Sequence, residues 1–165
     1  MAPTTTTRKT PSSTRKTRRP PPAVIVTLPE GVDYPRIERC KSPLHGWGVF
    51  ARQAIAKNRR IIAYTGEKIS SAESLARERR YIRDGNIWCF KLNNRWVIDA
   101  SVGGNNARFI NHSCTPNCYT QIVDGTIWVR AARTIRMGDE LTYNYYTDGE
   151  GLIQCRCQPG CKSLL

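Results

Sequence analysis

One polar run in the middle of the chain carries side chains of the kinds that bind ligands and do chemistry. Residues 107–117, ARFINHSCTPN, combine amides, an imidazole, a thiol and a guanidinium with two large apolar residues. This mixture is too polar for an ordinary core segment and too apolar for an ordinary surface loop. Buried amides and imidazoles need hydrogen-bond partners. We therefore expect the polar side chains of this run, called the central stretch below, to bond to one another, to a ligand or to a neighbouring backbone.

Four other features are expected to converge on the central stretch. They are GWG at 46–48, DA at 99–100, DELTYNY at 139–145 and CRCQPGC at 155–161. Glycine on both sides of Trp47 lets the backbone approach a ligand closely, while the indole provides a wall. Taken alone, Gly-x-Gly is weak evidence, and a hairpin turn with a buried tryptophan is the simpler interpretation.

Cysteine use favours a metal site over disulfides. The chain has seven cysteines, and three of them fall within the last eleven residues, too close together for an ordinary disulfide framework. No apolar region typical of a secretory signal precedes them, and no apolar stretch is long enough to cross a bilayer. We expect an intracellular, reducing setting without membrane association, in which thiolates bind a metal.

The charge is strongly basic and unevenly spread. Residues 1–22 contain six basic residues and no acidic ones, and the rest of the chain contains 20 basic and 13 acidic residues. This balance favours acidic partners such as nucleic acid or nucleoprotein, with solubility alone as the alternative. Residues 1–22 lack large apolar side chains apart from Met1, and we expect them to be disordered.

The remaining pattern predicts a mainly β fold that begins near Ala23. Strand-like runs occupy residues 24–26, 36–40, 60–64, 87–92, 95–98, 119–123, 126–131 and 141–146. One helix is predicted at 71–83, with Ser70 or Ser71 as its cap. Asn93-Asn94 and 124–125 read as two-residue hairpin turns. There is no βαβ periodicity, no phosphate-binding loop and no Gly-x-Ser-x-Gly nucleophile motif.

Together these motifs resemble the SET-domain protein-lysine methyltransferases. Four blocks match in the family's order: HGWGVF at 45–50, YTGE at 64–67, VIDA at 97–100 continuing into the central stretch, and GDELTYNY at 138–145. The cysteine-rich end resembles the family's post-SET segment. The resemblance implies several small sheets around a pseudoknot-like crossing, one short helix and a post-SET cysteine tail. It divides the chain into a basic tail (1–22), a SET domain (23–150) and a post-SET zinc-binding segment (151–165).

The resemblance implies transfer of a methyl group from S-adenosylmethionine to a lysine of a protein. Tyr145 matches the catalytic tyrosine, and Tyr143 matches the position where a hydroxyl favours mono- or dimethylation. Trp88, Phe90 and Tyr143 would line the substrate channel, whose apolar walls disfavour a charged ammonium. Trp88 departs from the family, which usually has tyrosine there, so the degree of methylation stays open. In isolation, LTYNY reads as an ordinary strand with alternating aromatics.

The same resemblance implies a set of cofactor-binding residues, namely Gly46, Trp47, Gly48, Arg108, Asn111, His112 and, as a weaker candidate for the cofactor carboxylate, Lys41. A single histidine is more often structural than reactive. Because His112 adjoins Asn111 in a matched block, we expect cofactor contact without proton chemistry. We interpret Asp99 as a turn residue, with shaping of the substrate cleft as the alternative.

A structural zinc site is the second site that the resemblance implies. Its four thiolate ligands would be Cys114, Cys155, Cys157 and Cys161. Three residues separate Cys157 from Cys161, whereas the family usually has four, and the alternative is an unmetallated tail. The other three cysteines, Cys40, Cys89 and Cys118, are interpreted as core thiols.

The substrate that follows is a basic protein or peptide, a histone tail or another DNA-packaging protein. The competing hypothesis is a non-catalytic nucleic-acid or chromatin-binding module that uses the basic tail. We expect the protein in the nucleus or on chromatin or a nucleoid, and in the cytoplasm if it is bacterial. The TRKT repeats around Lys9 and Lys16 suggest self-methylation or an internal mimic of the substrate, with an electrostatic anchor for chromatin as the alternative. The target lysine and the oligomeric state stay open.

Overall fold

The computed structural model describes residues 23–146 and 153–165. Their strands are β1 (Val24–Val26), β2 (Ile37–Lys41), β3 (Trp47–Ala51), β4 (Arg60–Ala63), β5 (Gly66–Ser70), β6 (Cys89–Lys91), β7 (Trp96–Asp99), β8 (Asn111–His112), β9 (Cys118–Val123), β10 (Thr126–Ala131) and β11 (Thr142–Tyr143). Helix α1 (Ser71–Arg83) joins β5 to β6, and a 3-10 turn (Asn106–Phe109) precedes β8. The predicted basic tail, with Lys9 and Lys16, and the boundary predicted at 150–151 lie outside the described residues.

The strands form four small sheets, so the predicted mainly β fold is confirmed. The largest sheet has the order β1-β5-β7-β6, and a second has the order β4-β10-β9. Two-stranded sheets are formed by β2 with β3 and by β8 with β11. Every pairing is antiparallel except that of β8 with β11. Within these described ranges, no helix is both long and apolar enough to span a membrane.

One hydrophobic core joins the sheets. Side chains that are at most 1% exposed come from β3, β4, β7, β10 and the residues just before β8 and β11: Val49, Ile61, Ile98, Val129, Ile110 and Leu141. Removing such apolar surface from water is the main force that holds small sheets together. The core therefore fixes the relative positions of the polar segments that begin where these buried residues end.

Helix α1 begins and ends where the sequence predicts. Ser70 is the N-cap, and its hydroxyl accepts a hydrogen bond from the Glu73 N–H. Glu73 in the first turn and Arg83 in the last turn have the charges that stabilise the two ends of a helix. The predicted helix at 71–83 is confirmed, with Ser70 rather than Ser71 as its cap.

Two hairpin predictions have different outcomes. Val123 pairs with Thr126 across a two-residue turn at 124–125, as predicted. The turn at Asn93-Asn94 is longer than predicted, because β6 ends at Lys91 and β7 begins at Trp96. The Asn93 carboxamide oxygen accepts hydrogen bonds from the N–H groups of Arg95 and Trp96, at 2.9 and 3.0 Å, and so holds a four-residue loop.

The parallel pairing of β8 with β11 is the predicted crossing. Thr142 lies opposite Asn111, and Tyr143 lies opposite His112. The Asn117 side chain fastens the crossing, donating to the Glu140 carbonyl at 2.7 Å and accepting from the Thr142 N–H at 2.9 Å. Regular strand is confined to 142–143 within the predicted 141–146 run. Two segments remote in sequence are therefore held side by side.

Candidate active site

The crossing brings Tyr145 against the end of the central stretch. The Tyr145 N–H donates to His112 Nδ1 at 3.4 Å, and the two rings meet edge to face with centroids 5.4 Å apart. The Tyr145 hydroxyl donates to the Ile110 carbonyl at 2.8 Å. The phenol is therefore held at its backbone and at its hydroxyl beside the imidazole.

Protonation at this pair follows from burial. Burial raises the pKa of Tyr145 well above its usual range, and the nearby Glu140 carboxylate raises it further, so the phenol is neutral at ordinary pH. Burial lowers the pKa of His112 below its usual value. Because Nδ1 accepts from the Tyr145 N–H, the neutral imidazole has its proton on Nε2.

Asn111 ties the GWG loop to the crossing. Its carboxamide nitrogen donates to the Trp47 carbonyl at 3.0 Å and to Glu140 Oε1 at 2.8 Å. Gly48 is needed for this close approach, since a Cβ there would lie 2.2 Å from Glu140 Oε1. Gly46 has φ +47°, a left-handed conformation that favours glycine. The two glycines therefore shape the loop, and Trp47 is not buried but 41% exposed.

A cavity of about 440 Å³ lies between this loop, the central stretch and the C-terminal segment. The predicted site residues that line it are Gly46, Trp47, Trp88, Arg108, Asn111, His112, Tyr145 and Cys157. The volume lies in the range of ordinary small-molecule sites. Residues predicted from five separate parts of the sequence thus share one cavity wall.

Besides three of the four predicted metal ligands, Cys114, Cys155 and Cys161, four predicted site residues do not line this cavity: Lys41, Gly48, Phe90 and Tyr143. The Lys41 ammonium instead lies 4.2 Å from the centroid of the Trp47 ring. Phe90 and Tyr143 form an aromatic layer behind Tyr145, with ring centroids 6.1 Å apart between them and 5.0 Å between Tyr143 and Tyr145. Burial raises the pKa of Tyr143 as well, so both phenols are neutral.

The cations at the cavity are arginines, two of which the sequence analysis missed. Arg83 at the end of α1 and Arg156 in the C-terminal segment line it together with Arg108, and among residues 23–146 and 153–165 no carboxylate side chain does. Arg83 has no ligand-binding motif around it, and the motif around Arg156 predicts a metal site and not a contact with this cavity, so only the packing of distant segments reveals them. This charge balance favours a ligand with an anionic group.

Arg108 has one side-chain donor without a partner. Its Nη1 donates to the Ala100 carbonyl at 2.8 Å, and its guanidinium lies over the rings of Phe109 and Trp88, 4.7 and 5.4 Å from their centroids. Its Nε is buried and has no hydrogen-bond partner, the only such side-chain atom found in the described ranges. Buried donors are almost always satisfied, so the residues present fit a polar ligand with acceptor groups in this cavity.

Asp99 is not a turn residue, so that interpretation is wrong. It is the last residue of β7 and is fully buried. Its carboxylate accepts hydrogen bonds from Arg77 Nη1 at 2.8 Å, the Tyr81 hydroxyl at 2.9 Å and the Ser101 N–H at 2.8 Å. Burial by itself raises the pKa of Asp99, but these hydrogen bonds outweigh it and lower the pKa below its usual value.

Four thiols gather where the central stretch meets the C-terminal segment. The Sγ atoms of Cys114, Cys155, Cys157 and Cys161 all lie within 4.8 Å of one another. Cys114 Sγ is 3.9 Å from that of Cys155 and 3.8 Å from that of Cys161. A tetrahedral site with metal–sulfur bonds of about 2.3 Å separates its sulfurs by about 3.8 Å. The cluster has the donors and the spacing to hold a metal ion.

The short spacing of the tail cysteines is accommodated by a tight turn. The Cys161 N–H donates to the Gln158 carbonyl at 3.2 Å, and Gly160 has φ +75°. The backbones of Ile153 and Leu165 exchange two hydrogen bonds, which close the segment into a loop. Both of these residues line the cavity. Of the other cysteines, Cys118 is buried as predicted, whereas Cys40 and Cys89 are only half-buried.

Comparison with known proteins agrees with this geometry. The family profile described as "SET domain" matches residues 46–146. A histone-lysine N-methyltransferase of Emericella nidulans, described as H3 lysine-4 specific, is 43% identical over 76% of this chain and 11% of its own length. A protein of the same description from Saccharomyces cerevisiae is 38% identical over 76% of this chain and 13% of its own length. The human histone-lysine N-methyltransferase SETD1B is 36% identical over 79% of this chain and 7% of its own length.

The chain spans about a tenth of the length of the curated relatives it matches. The matched region contains the GWG loop, the central stretch and Tyr145, the segments that meet at the cavity. By its sequence, its crossing and its cysteine-rich end, this chain belongs to the SET-domain family.

Proposed function

We propose that this protein is a protein-lysine N-methyltransferase that uses S-adenosylmethionine as its methyl donor. The observation that carries the proposal is the pairing of β8 with β11. It holds the neutral Tyr145 phenol beside His112, on the wall of a cavity that also contains Trp47 and Arg108. Such a site can bind a polar ligand on one side of Tyr145, and its aromatic residues can admit an amine on the other side.

The cofactor-facing roles are assigned to the residues of the cavity wall. S-adenosylmethionine supplies an electrophilic methyl group carried on a sulfonium. The GWG loop, with the carboxamide of Asn111 behind it, shapes the cavity at Trp47, and the unpartnered Arg108 Nε offers a donor. Because Lys41 lies on the Trp47 ring outside the cavity, we assign the cofactor carboxylate to the arginines, with Lys41 as the weaker candidate.

The substrate-facing roles are assigned to the aromatic residues. A free lysine has a pKa of about 10.4 and must lose its proton before it can accept a methyl group. Rings at Trp88, Phe90 and Tyr143 disfavour the charged ammonium by excluding water. Tyr145, itself neutral, orients the amine. The buried Tyr143 hydroxyl limits the room for added methyl groups, which favours mono- or dimethylation.

The proposed substrate is a histone tail or another basic DNA-packaging protein, and the proposed setting is chromatin in the nucleus. The relatives named above as H3 lysine-4 specific support this assignment. A basic enzyme and a basic tail repel each other, so an acidic partner must bring them together. DNA bound to the substrate meets this need, with residues 1–22 as the nucleic-acid contact.

We also propose that zinc is the metal held by the four thiolates. Sulfur ligands at tetrahedral spacing are typical of structural zinc sites. The ion would join Cys114 of the central stretch to the three cysteines of the C-terminal segment. Its role would be structural, since it would hold that segment against the cavity.

Methyl transfer from a labelled donor tests the proposed activity. Purified protein is incubated with S-adenosylmethionine labelled on the methyl group and with core histones, and labelled lysine is identified by mass spectrometry. Tyr145→Phe should lower transfer about 100-fold, the effect of losing one well-placed hydroxyl. Tyr119→Phe is the matched control, because its hydroxyl lies 3.5 Å from Asn58 and outside the cavity lining.

Two results would contradict the assignment. Full activity of Tyr145→Phe would remove the role of that phenol. A wild-type protein that neither binds the donor in calorimetry nor transfers label, but binds DNA with strong salt dependence, would instead be a binding module.

A further inference from the structure

A buried polar network lies next to the cavity. The Tyr81 hydroxyl donates to Asp99 at 2.9 Å and lies 2.6 Å from the Ser101 hydroxyl. Asp99 is fully buried, and Arg77 donates to it from α1. Tyr81, on the same helix, is only 5% exposed. The helix is thus attached to the end of β7 through one phenol and one guanidinium.

The Tyr81 ring contacts Trp88, which lines the cavity. Their ring centroids are 5.3 Å apart and the ring planes are inclined at 52°. The backbone of Trp88 is fixed separately, since its carbonyl accepts from the Tyr64 hydroxyl at 2.9 Å and from the Ala100 N–H at 3.0 Å. Trp88 directly precedes β6, so its indole is not held by cross-strand neighbours of a regular ladder.

Only side-chain packing therefore determines where the indole lies. The guanidinium of Arg108 covers it 5.4 Å from its centroid, and Tyr81 contacts it as well. Arg108 faces the cavity, whereas Tyr81 is locked by Asp99 and Ser101. Of these two ring neighbours, Tyr81 is the one whose position does not depend on a bound ligand.

We infer that Tyr81, held by Asp99, is a positioning residue that fixes the Trp88 indole and so sets how many methyl groups one lysine receives. This inference rests on the proposed function. Trp88 lines the same cavity as Tyr145. A shift of this large ring changes the room in that cavity, and a second methyl group needs more room than the first.

The position of the indole can be measured without any activity. The protein has four tryptophans, so labelling with 5-fluorotryptophan gives four fluorine resonances, and Trp88→Phe assigns one of them. Tyr81→Phe keeps the ring but loses the hydrogen bonds to Asp99 and Ser101. We expect it to shift and broaden the Trp88 resonance and to leave the other three in place. Tyr119→Phe should move none of the four.

The methyl count is measured on a substrate peptide by mass spectrometry. Tyr81→Phe should change the ratio of dimethyl- to monomethyl-lysine about threefold to tenfold, the range expected when the hydrogen bonds of one hydroxyl are lost. Donor affinity, measured by calorimetry, should stay within about twofold of wild type. A loss of folding alone would reduce donor binding and both methylation steps together.

Each result of these measurements either supports the inference or overturns it. An unchanged Trp88 resonance in Tyr81→Phe overturns the positioning role, and a shifted resonance with an unchanged product ratio overturns the control of methyl count. If the other three resonances also move, the variant is misfolded, and Ser101→Ala then decides, because it removes one partner of the same hydroxyl. Absence of methyl transfer by wild type overturns the proposed function and the methyl-count claim, while the resonances still decide whether Tyr81 positions Trp88.

Discussion

Arg108 shows how much one side chain does at the cavity wall. Its guanidinium donates to the Ala100 carbonyl, packs over Phe109 and Trp88, and keeps a buried Nε without a partner. A planar, delocalised cation can do all of this at once, whereas a lysine ammonium cannot stack on rings in the same way. If the cavity binds the proposed cofactor, Arg108 joins ligand binding to the placement of two aromatic residues.

Arg108→Lys should weaken binding of S-adenosylmethionine about tenfold, because the stacked guanidinium and its directed N–H donors are lost. Isothermal titration calorimetry measures this directly. Arg130→Lys is the matched control, since its guanidinium bonds Asn58 and Gln121 instead of lining the cavity. Equal affinities of Arg108→Lys and wild type would show that this side chain does not touch the donor.

At the scale of elements, α1 is fastened to the largest sheet by ion pairs. Arg77 bonds Glu67 of β5 at 2.6 Å and Asp99 of β7 at 2.8 Å. Hydrogen bonds to these carboxylates raise the pKa of Arg77, so the cation persists at any working pH. Removing one partner of a buried pair is costly because the other charge is left without compensation. The helix in turn carries Tyr81 and Arg83 toward the cavity.

Arg77→Met should lower the free energy of unfolding by about 3 kcal/mol, measured by urea denaturation at pH 7. Arg79→Met, at an exposed position of the same helix, should change it by at most about 0.5 kcal/mol. The lowered pKa of Asp99 means that its contribution is present at neutral pH and is lost as the pH falls below about 4. The difference in the free energy of unfolding between Arg77→Met and wild type should therefore become smaller in acid. A difference that does not change with pH would contradict this account.

At the scale of the whole molecule, the C-terminal segment forms one wall of the cavity, although it is remote in sequence from the other walls. Cys114 and the three tail cysteines lie together, and Ile153, Arg156 and Leu165 of the same segment line the cavity. An ion that holds the four thiolates together would therefore also hold the C-terminal wall of the cavity in place.

Removal of the metal should open this wall. Treatment with a strong chelator should release one zinc ion per chain, abolish methyl transfer and expose the C-terminal segment to proteolysis, while the core fold keeps its circular dichroism. Cys161→Ser should reproduce the effect, and Cys40→Ser, at a half-buried cysteine outside the cluster, should not. Full activity of zinc-free protein would contradict the structural role.

The uneven distribution of basic residues predicts how the protein binds DNA. Deleting residues 1–22 removes six of the 26 basic residues. If these contact phosphates, the slope of log affinity for DNA against log salt should fall by at most about 5. Fluorescence anisotropy with a duplex at several salt concentrations measures the slope. Methylation of a short free peptide should be unaffected, and an unchanged slope would exclude the tail as a contact.

Local sequence patterns predicted the elements whose signals are local. The cap at Ser70 and the turn at 124–125 depend on neighbouring residues, so they are visible in the chain itself. The crossing and the grouping of the tail cysteines with Cys114 were predicted from the resemblance, since matching blocks imply contacts that spacing alone does not reveal.

Tertiary packing decided the rest. The burial of Asp99, the position of Lys41 over the Trp47 ring and the presence of Arg83 and Arg156 at the cavity all depend on which faces of separate elements meet. A side chain's neighbours across a fold are set by the packing of the whole core, and no short window of residues contains them. The sequence by itself therefore determined which groups could do the chemistry, and the folded core decided which of them share one cavity.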